Sequence, residues 1–245
     1  MPCGCAVILL PFAVHQNNVV NYSNCRSLFN HRRANKDGYE KFCAAMNPFL
    51  IDIYDQWNIL FDTIDHSLIK STKRCRIRSI DAKNSENQYT ICSKMGKSDS
   101  IAGAIAKRRE VEVNISKEQF DSIVHHPENY YRLAPIEIRQ EISEFKDVDF
   151  CFLVDFQSIR RIYKFGEFEI ESDECILSDE TKFYRLEIES KKPEEAKSAL
   201  EKKLTELEIK YKEAEYGKYT MLINVPADQR FSKRLKEQIE KNKSV

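Results

Sequence analysis

Charged residues recur at a spacing of two along segments that otherwise read as β-strands. Four such pairs are Arg76 and Arg78, Glu110 and Glu112, Glu171 and Asp173, and Glu187 and Glu189. Because a strand sends alternate side chains to opposite faces, both members of each pair share one face. Like charges placed side by side do not stabilise an isolated strand. The pattern therefore predicts a sheet with one densely charged face, the lining expected of a site for a multiply charged anion and its metal.

Length and net charge limit the class of protein. The chain has 245 residues, which suits one large domain or two small ones. It carries 39 basic and 39 acidic residues, and this balance argues against a general nucleic-acid binder, which would be basic overall. Only six glycines occur, and neither the G-x-G-x-x-G motif nor a P-loop is present. Nucleotide-binding loops of these two types are therefore excluded.

The cysteines indicate the redox compartment. Of the eight, only Cys3 and Cys5 form a close pair, and no second pair follows at the spacing of a zinc site. We interpret the cysteines as reduced thiols of a cytoplasmic protein, several of them buried as small apolar residues. The apolar run 5–14 is too short to span a membrane, and no positive charge precedes it as in a signal peptide. We expect no membrane association.

Composition divides the chain into three parts. Residues 1–36 contain no acidic residue and follow no clear period, so we expect an atypical, poorly ordered N-terminal segment. Residues 37–225 are predicted to form the folded domain. Residues 226–245 are predicted to form a charged helical tail that is solvated, because it offers little apolar surface.

Strand-like segments follow one another with few helices between them. They are 57–61, 74–80, 88–94, 109–115, 150–155, 159–165, 167–173, 183–189 and 218–223. This spacing favours antiparallel neighbours. Gly96, Gly103 and several serines predict a loop over 95–106, and Ser116 with Gln119 matches a helix capping box. We predict an α+β fold, an eight-stranded antiparallel β-barrel whose charged face points inward and whose apolar face packs under flanking helices.

Eight short motifs follow one another along the predicted domain. They are QWNILFDTIDHSL (56–68), CRIRS (75–79), Lys94 in TICSK, REVEV (109–113), SIRRIY (158–163), FEIESDE (168–174), YRLEIES (184–190) and YGKY (216–219). Each motif is weak alone. In this order they resemble the CYTH superfamily, also called triphosphate tunnel metalloenzymes, and look closest to its plant-type tripolyphosphatase-like members. The resemblance covers residues 55–223 and implies a CYTH-like tunnel domain over 37–225.

This resemblance implies Mg²⁺- or Mn²⁺-dependent hydrolysis of inorganic triphosphate or a related small triphosphate, by a monomer or homodimer. It assigns phosphate binding to the basic residues Arg76, Arg78, Lys94, Arg160 and Lys218. It assigns metal binding first to Glu187 and Glu189, and then to Glu171 and Asp173. It leaves Glu110 and Glu112 as catalytic acids that orient water or hold a second metal.

The family's opening motif, E-x-E-x-K on the first strand, is missing. It should lie just before Asp37, because residues 34–42 resemble the text that follows it, yet residues 1–36 contain no acid. An altered start, from a different exon or a mistaken gene model, and a member that has lost catalysis both explain this. Either way we expect weak or absent activity. The alternatives are a non-catalytic polyphosphate- or nucleotide-binding protein, or a thiamine triphosphatase, RNA triphosphatase or adenylyl cyclase on the same fold.

Overall fold

An antiparallel sheet forms the centre of the fold. The structure, a computed structural model, describes residues 20–31, 36–82, 86–101, 105–178, 180–190, 192–210 and 225–243. The strands of this described part are β1 (Val20–His31), β2 (Leu50–Thr63), β3 (Lys73–Ala82), β4 (Gln88–Ile101), β5 (Ile105–Asn114), β6 (Phe150–Phe165), β7 (Phe168–Ile176) and β8 (Lys182–Glu189). Every pair of neighbouring strands is antiparallel, as the strand spacing predicted.

Helices flank the sheet. They are α1 (Lys36–Met46), α2 (Ser67–Lys70), α3 (Lys117–His125), α4 (Tyr130–Leu133), α5 (Ile136–Glu141), α6 (Pro193–Glu206) and α7 (Lys233–Lys243). The capping box of α3 is confirmed. The backbone N–H of Gln119 donates to Ser116 Oγ at 3.2 Å, and the backbone N–H of Ser116 donates to Gln119 Oε1 at 3.1 Å. The prediction of an α+β architecture is therefore confirmed.

Strand order places sequence-distant strands side by side. β2 to β8 form one sheet in the order β5-β4-β3-β2-β6-β7-β8. The backbone of β1 pairs with β5 on one side and with β8 on the other, so that the hydrogen-bonded order returns to its start. The two edges of the seven-stranded sheet thus meet the same strand. Of β1 only the backbone is described.

Apolar side chains pack between the outer face of the sheet and the helices. On β2, Trp57, Ile59 and Phe61 are buried in one core that also contains Phe120 of α3 and Ile138 of α5. A second core lies on the same outer face, where β7 and β8 pack against α1 and α6. Its members include Phe42, Met46, Ile170, Ile188, Leu200 and Leu204. The residues between these apolar positions must therefore face the opposite side of the sheet.

A third cluster closes off part of the inner face. We call it the apolar end cluster, and its members are Leu60, Leu153, Val154, Phe156, Cys175 and Phe183. Leu60 lies between Ile59 and Phe61, which face the helices, so it points to the other side. Polar and charged residues follow this cluster along the same face of each strand. The charged part of the inner face therefore ends against apolar side chains.

Several boundaries differ from the sequence predictions. The loop predicted over 95–106 is wrong in its first part, because β4 continues to Ile101 and pairs with β5 beyond an irregularity between Met95 and Asp99. The two strands predicted within 150–165 are the single strand β6, which pairs with β2 and β7. Residues 20–31 form β1. The predicted strand 218–223 lies outside the described residues.

The C-terminal helix is less solvated than its composition suggested. α7 forms as predicted, but Leu235 on it is fully buried in the core beside β2 and α3. The Arg234 guanidinium lies 3.9 Å from the centroid of the Trp57 ring. Ser232 caps the helix start, donating to Asp155, which also accepts from Trp57 Nε1 at 2.7 Å. Buried Leu235, partly buried Phe231 and Ile239, and the Asp155 carboxylate thus dock this charged helix.

Candidate functional site

Three neighbouring strands bring one group of charged side chains together on the inner face. Lys94 of β4 lies directly opposite Glu110 of β5, and its Nζ is 2.7 Å from Glu110 Oε2. Arg76 of β3 approaches Glu110 at 3.7 Å and Glu112 at 3.5 Å, and Arg78 approaches Glu112 at 3.9 Å. We call these five residues the β3–β5 cluster. Its arginines are close enough for ion pairing but too far for strong hydrogen bonds to the carboxylates.

Polar neighbours fix the orientation of this cluster. Asn58 Oδ1 on β2 accepts a hydrogen bond from Arg78 Nε at 2.9 Å, and Thr90 Oγ1 donates to Glu112 Oε1 at 2.6 Å. The Cys92 thiol donates a hydrogen bond to Glu110 Oε1 at 3.1 Å. Arg78, Glu110 and Glu112 are therefore each held by two partners.

Burial and mutual charge shift the titration of the cluster. Burial opposes ionisation of Glu112, but Arg76 and Arg78 outweigh it and lower the pKa of its carboxyl. Burial, reinforced by the charge of Arg76, lowers the pKa of Arg78 to about 10. Burial and the neighbouring Glu110 raise the pKa of the Cys92 thiol well above its ordinary value. At neutral pH the cluster therefore contains charged arginines, a charged Glu112 and a neutral thiol.

The next three strands hold a second group of charges. Arg160 of β6 makes two hydrogen bonds to Asp173 of β7, with Nε donating to Oδ1 at 2.7 Å and Nη2 to Oδ2 at 2.8 Å. Its Nη1 lies 2.6 Å from Glu171 Oε2. On β8, Arg185 Nη2 lies 2.6 Å from Glu187 Oε1. We call these five residues the β6–β8 cluster, and all of them are buried.

The register of β7 and β8 sets two acids face to face. Glu171 is directly opposite Glu187, and like charges so placed are destabilising. Arg160 offsets part of this cost: burial alone would lower its pKa, yet Asp173 and Glu171 raise it well above the ordinary value. Three carboxylates from two adjacent strands therefore surround Arg160 on the inner face.

The two clusters belong to one surface. The positive charge of Arg160 acts on both Arg76 and Arg78, disfavouring their protonated forms. Between the clusters, Asn58 Nδ2 donates to Ser158 Oγ at 3.2 Å, which links β2 to β6. We call the two clusters together the charged lining. It is a largely buried array of five cations and five acids.

The donor atoms suit a hard divalent cation on the β6–β8 side. Glu171, Asp173 and Glu187 offer only carboxylate oxygens, which Mg²⁺ and Mn²⁺ prefer, and the face-to-face acids would gain from a cation between them. On the other side, Cys92, Glu110 and Glu112 present one ligand atom each within 4.8 Å of one another. That second set is mixed, and three cations, Arg76, Arg78 and Lys94, surround its two carboxylates. Acids outnumber cations only on the β6–β8 side, so charge balance favours a metal ion there, while among the described residues only the Cys92 set clusters three ligand atoms this closely.

The structure brings together every predicted site residue whose side chain it describes. These are Arg76, Arg78, Lys94, Glu110, Glu112, Arg160, Glu171, Asp173 and Glu187. Lys218 lies outside the described residues. Glu189 ends β8 in register with Glu169, and nothing of its side chain is described. The functional roles given to these residues by the family resemblance stay predictions.

Sequence reasoning missed three members of this surface. Arg185 lies two residues before Glu187 and so shares its face, which the period-two rule would have shown. Cys92 and Asn58 occupy inward positions on β4 and β2, between residues that were singled out. For these two the sequence carries no charge signal, because a thiol and an amide are uncharged at neutral pH.

Comparison with known proteins gives the same family that the motifs suggested. A family model described as the CYTH domain matches residues 35–217, which confirms the resemblance. No curated protein sequence matches the chain. No helix in the part of the chain that the structure describes combines the length and the hydropathy that crossing a bilayer requires.

Solved structures share the fold at low identity. HpAC1 from Hippeastrum, described as an adenylyl cyclase candidate with a dominant triphosphatase activity, has a TM-score of 0.71 and 22% identity, over 81% of this chain and 94% of its own. An adenylate cyclase candidate from Bacillus halodurans has a TM-score of 0.63 and 13% identity, over 82% and 97%. The PH1819 protein of Pyrococcus horikoshii has a TM-score of 0.53 and 18% identity, over 83% and 99%. At such identities the likeness concerns the fold alone.

Proposed function

The chain belongs to the CYTH domain family, and from this premise we propose that it is a metal-dependent hydrolase of inorganic triphosphate or another short triphosphate. The observation that carries the proposal is the charged lining. Cations and carboxylates from six strands lie on one face, seven of the ten buried and the other three partly buried, where a general surface role would leave them in water. A substrate with several negative charges and a bound divalent cation is the ligand pair that matches both signs.

We propose that phosphate groups bind to the β3–β5 side. Arg76 and Arg78 lie 3.5–3.9 Å from their carboxylate partners, so they keep directional donors for phosphate oxygens. Lys94 supplies a point charge beside them, and Arg160 extends the cationic surface to β6. Lys218 remains proposed for the same role from the family resemblance.

We propose that Glu171, Asp173 and Glu187, together with Glu189, hold Mg²⁺ or Mn²⁺. When bound, such a cation neutralises charge on phosphate oxygens and so favours attack of water at phosphorus. Glu110 and Glu112 lie on the phosphate side, where an ionised Glu112 can accept a hydrogen bond from a water molecule and orient it. Arg160 contacts both Glu171 and Asp173, so it positions the carboxylates while it faces the phosphate side.

We further propose that the strands enclose a tunnel in an eight-stranded barrel. The pairing of β1 with both β5 and β8 supports this closure. β1 takes the position of the first strand, yet residues 1–36 supply no carboxylate, so the opening E-x-E-x-K ligands are missing. We therefore expect weak turnover from this chain. The free thiols among the described cysteines support the cytoplasmic location expected from the sequence.

The test is a substrate panel with Mg²⁺ and with Mn²⁺. Phosphate release from tripolyphosphate, ATP and thiamine triphosphate is measured, together with cyclic AMP formation. The dominant triphosphatase activity described for HpAC1 supports tripolyphosphate as the preferred substrate. Cleavage of ATP to cyclic AMP instead would favour a cyclase. If no triphosphate is cleaved, even after an E-x-E-x-K strand replaces the corresponding part of β1, the hydrolase proposal is wrong.

The second candidate is a non-catalytic anion-binding protein. The absence of any acid from residues 1–36 favours it, because a metal site lacking its first-strand ligands binds the metal more weakly. This candidate predicts tight binding of tripolyphosphate without phosphate release. Calorimetric titration next to the turnover assay separates the two.

A further inference from the structure

Arg185 lies within the charged lining, although sequence reasoning gave it no role within the motif YRLEIES. It stands on β8, two residues before Glu187 and directly opposite Asp173 of β7. Only 3% of its surface is exposed, so the guanidinium is withdrawn from solvent. A buried arginine at this position requires partners for all of its donors.

The described residues satisfy only part of this guanidinium. Arg185 Nη2 contacts Glu187 Oε1 at 2.6 Å. Nε and Nη1 are buried and have no hydrogen-bond partner among the residues that the structure describes. Asp173, its neighbour in register, directs both oxygens to Arg160 instead. Since an unmatched buried donor is costly, and more so when charged, Nε and Nη1 are available for a ligand.

The surroundings of Arg185 limit the kind of ligand. Phe183, two residues earlier on the same face, belongs to the apolar end cluster, as does Cys175 across the strand pair. Arg185 is therefore the last charged residue of β8 before the lining becomes apolar. Arg185 Nη2 has a second N–H besides the one that reaches Glu187, and Nη2 shares one edge of the planar guanidinium with Nε and another with Nη1. Nη2 together with either of these donors therefore matches two oxygens of one tetrahedral oxyanion.

We propose that Arg185 binds a terminal phosphoryl group through one two-donor edge of its guanidinium, Nη2 with Nε or Nη1, at the end of the charged lining that the apolar end cluster bounds. The identity of the oxyanion as phosphate rests on the proposed function. A phosphoryl group seated there has apolar side chains beyond it, so any organic group of the substrate lies at the opposite end of the lining. Arg185 is thus a substrate-binding residue in addition to the predicted set.

The test is anion binding by the metal-free full-length chain in EDTA. Tripolyphosphate and pyrophosphate are titrated calorimetrically into the wild type, Arg185→Gln and the matched control Arg161→Gln. Arg161 lies next to Arg160 but pairs with Tyr39 on the outer face, so its replacement leaves affinity unchanged. Loss of a charged hydrogen-bonding group weakens binding by about tenfold to a hundredfold, and we expect this loss for both anions in Arg185→Gln.

A purely structural role for Arg185 predicts a different result. In that case Arg185→Gln lowers the unfolding temperature but, once folded, binds both anions as tightly as the wild type, and the proposal is overturned. Should Arg185→Gln not fold, Arg185→Lys retains the charge beside Glu187 without the two-donor fork. Weakened binding by folded Arg185→Lys supports the proposal, and unchanged binding contradicts it. These outcomes are independent of turnover. A wild type that binds tripolyphosphate but never cleaves it refutes the hydrolase function and leaves the binding role of Arg185 standing.

Discussion

The two halves of the charged lining differ in charge balance and in how tightly their ions are paired. The β3–β5 cluster contains three cations and two acids, and its arginine–carboxylate distances are 3.5–3.9 Å. The β6–β8 cluster contains two cations and three acids, paired at 2.6–2.8 Å. One half therefore has surplus positive charge with loosely held donors. The other has surplus negative charge with tightly held carboxylates.

This difference explains how one surface can bind an anion and a cation together. Each half partly neutralises itself, which limits the cost of withdrawing ten charged side chains wholly or partly from water. The remaining charge is opposite in the two halves, so an anion is drawn to one and a metal ion to the other. A phosphate-bound divalent cation satisfies both, whereas either ion alone satisfies only one.

The largest effect is expected when the tightly paired half loses its central cation. Arg160→Met leaves Asp173 and Glu171 buried without their main partner, and breaking such a pair costs about 3–5 kcal/mol of unfolding free energy. Urea unfolding of the metal-free protein measures the loss. Arg161→Met, on the outer face, should cost no more than about 1 kcal/mol. Equal losses in the two variants would show that the β6–β8 pairing does not stabilise the fold.

The alternation of side chains allowed most of this comparison to be predicted from the sequence. Charged pairs at a spacing of two were expected to share a face, and the register places Arg76, Arg78 and Glu110 on one face. Arg185 escaped because an arginine two residues from a glutamate reads as an ordinary surface ion pair. Its burial depends on the apolar end cluster, whose members come from β2, β6, β7 and β8 and are not adjacent in sequence.

Strand boundaries were predictable where local pattern and pairing agree. β5 and β7 alternate cleanly and were found close to their predicted positions. β1 has no such pattern, and its strand form follows from pairing with β5 and β8, both distant in sequence. In β4, glycine and serine suggested a loop, but pairing such as Asp99 opposite Lys107 extends the strand. Tertiary pairing here overrides local preference.

The second prediction removes acids from each half in turn. Glu171→Gln with Glu187→Gln should weaken Mn²⁺ binding by about a hundredfold, because the surplus carboxylates are the proposed ligands. Glu110→Gln with Glu112→Gln should weaken it far less, since Arg76 and Lys94 already neutralise those acids. Electron paramagnetic resonance of free Mn²⁺ reports both affinities. A larger loss on the β3–β5 side would reverse the assignment of the two halves.

The third prediction removes a cation from the loosely paired half. Lys94→Met should weaken tripolyphosphate binding about tenfold in EDTA, the loss expected for one charged hydrogen bond. Mn²⁺ affinity should not fall, because Lys94 contacts Glu110 rather than the proposed metal ligands. Lys202→Met, an exposed lysine of α6, is the control for net charge. Calorimetric titration that shows equal losses in both variants would mean that Lys94 acts only through overall charge.

The smallest effect concerns pH. The pKa of Glu112 is lowered in the folded chain by Arg76 and Arg78, despite its burial, so on acidification the unfolded chain takes up this proton first. The stabilisation is fully present above the ordinary glutamate pKa of about 4.3 and is lost as pH falls through the lower folded value. Unfolding free energies of the metal-free protein, measured from pH 6 downward, should therefore fall less steeply in Glu112→Gln than in the wild type. If the unfolding free energy falls equally steeply in both proteins, the arginines of the β3–β5 cluster are held too loosely to lower the pKa of Glu112. The contrast between the two halves would then rest on charge count alone.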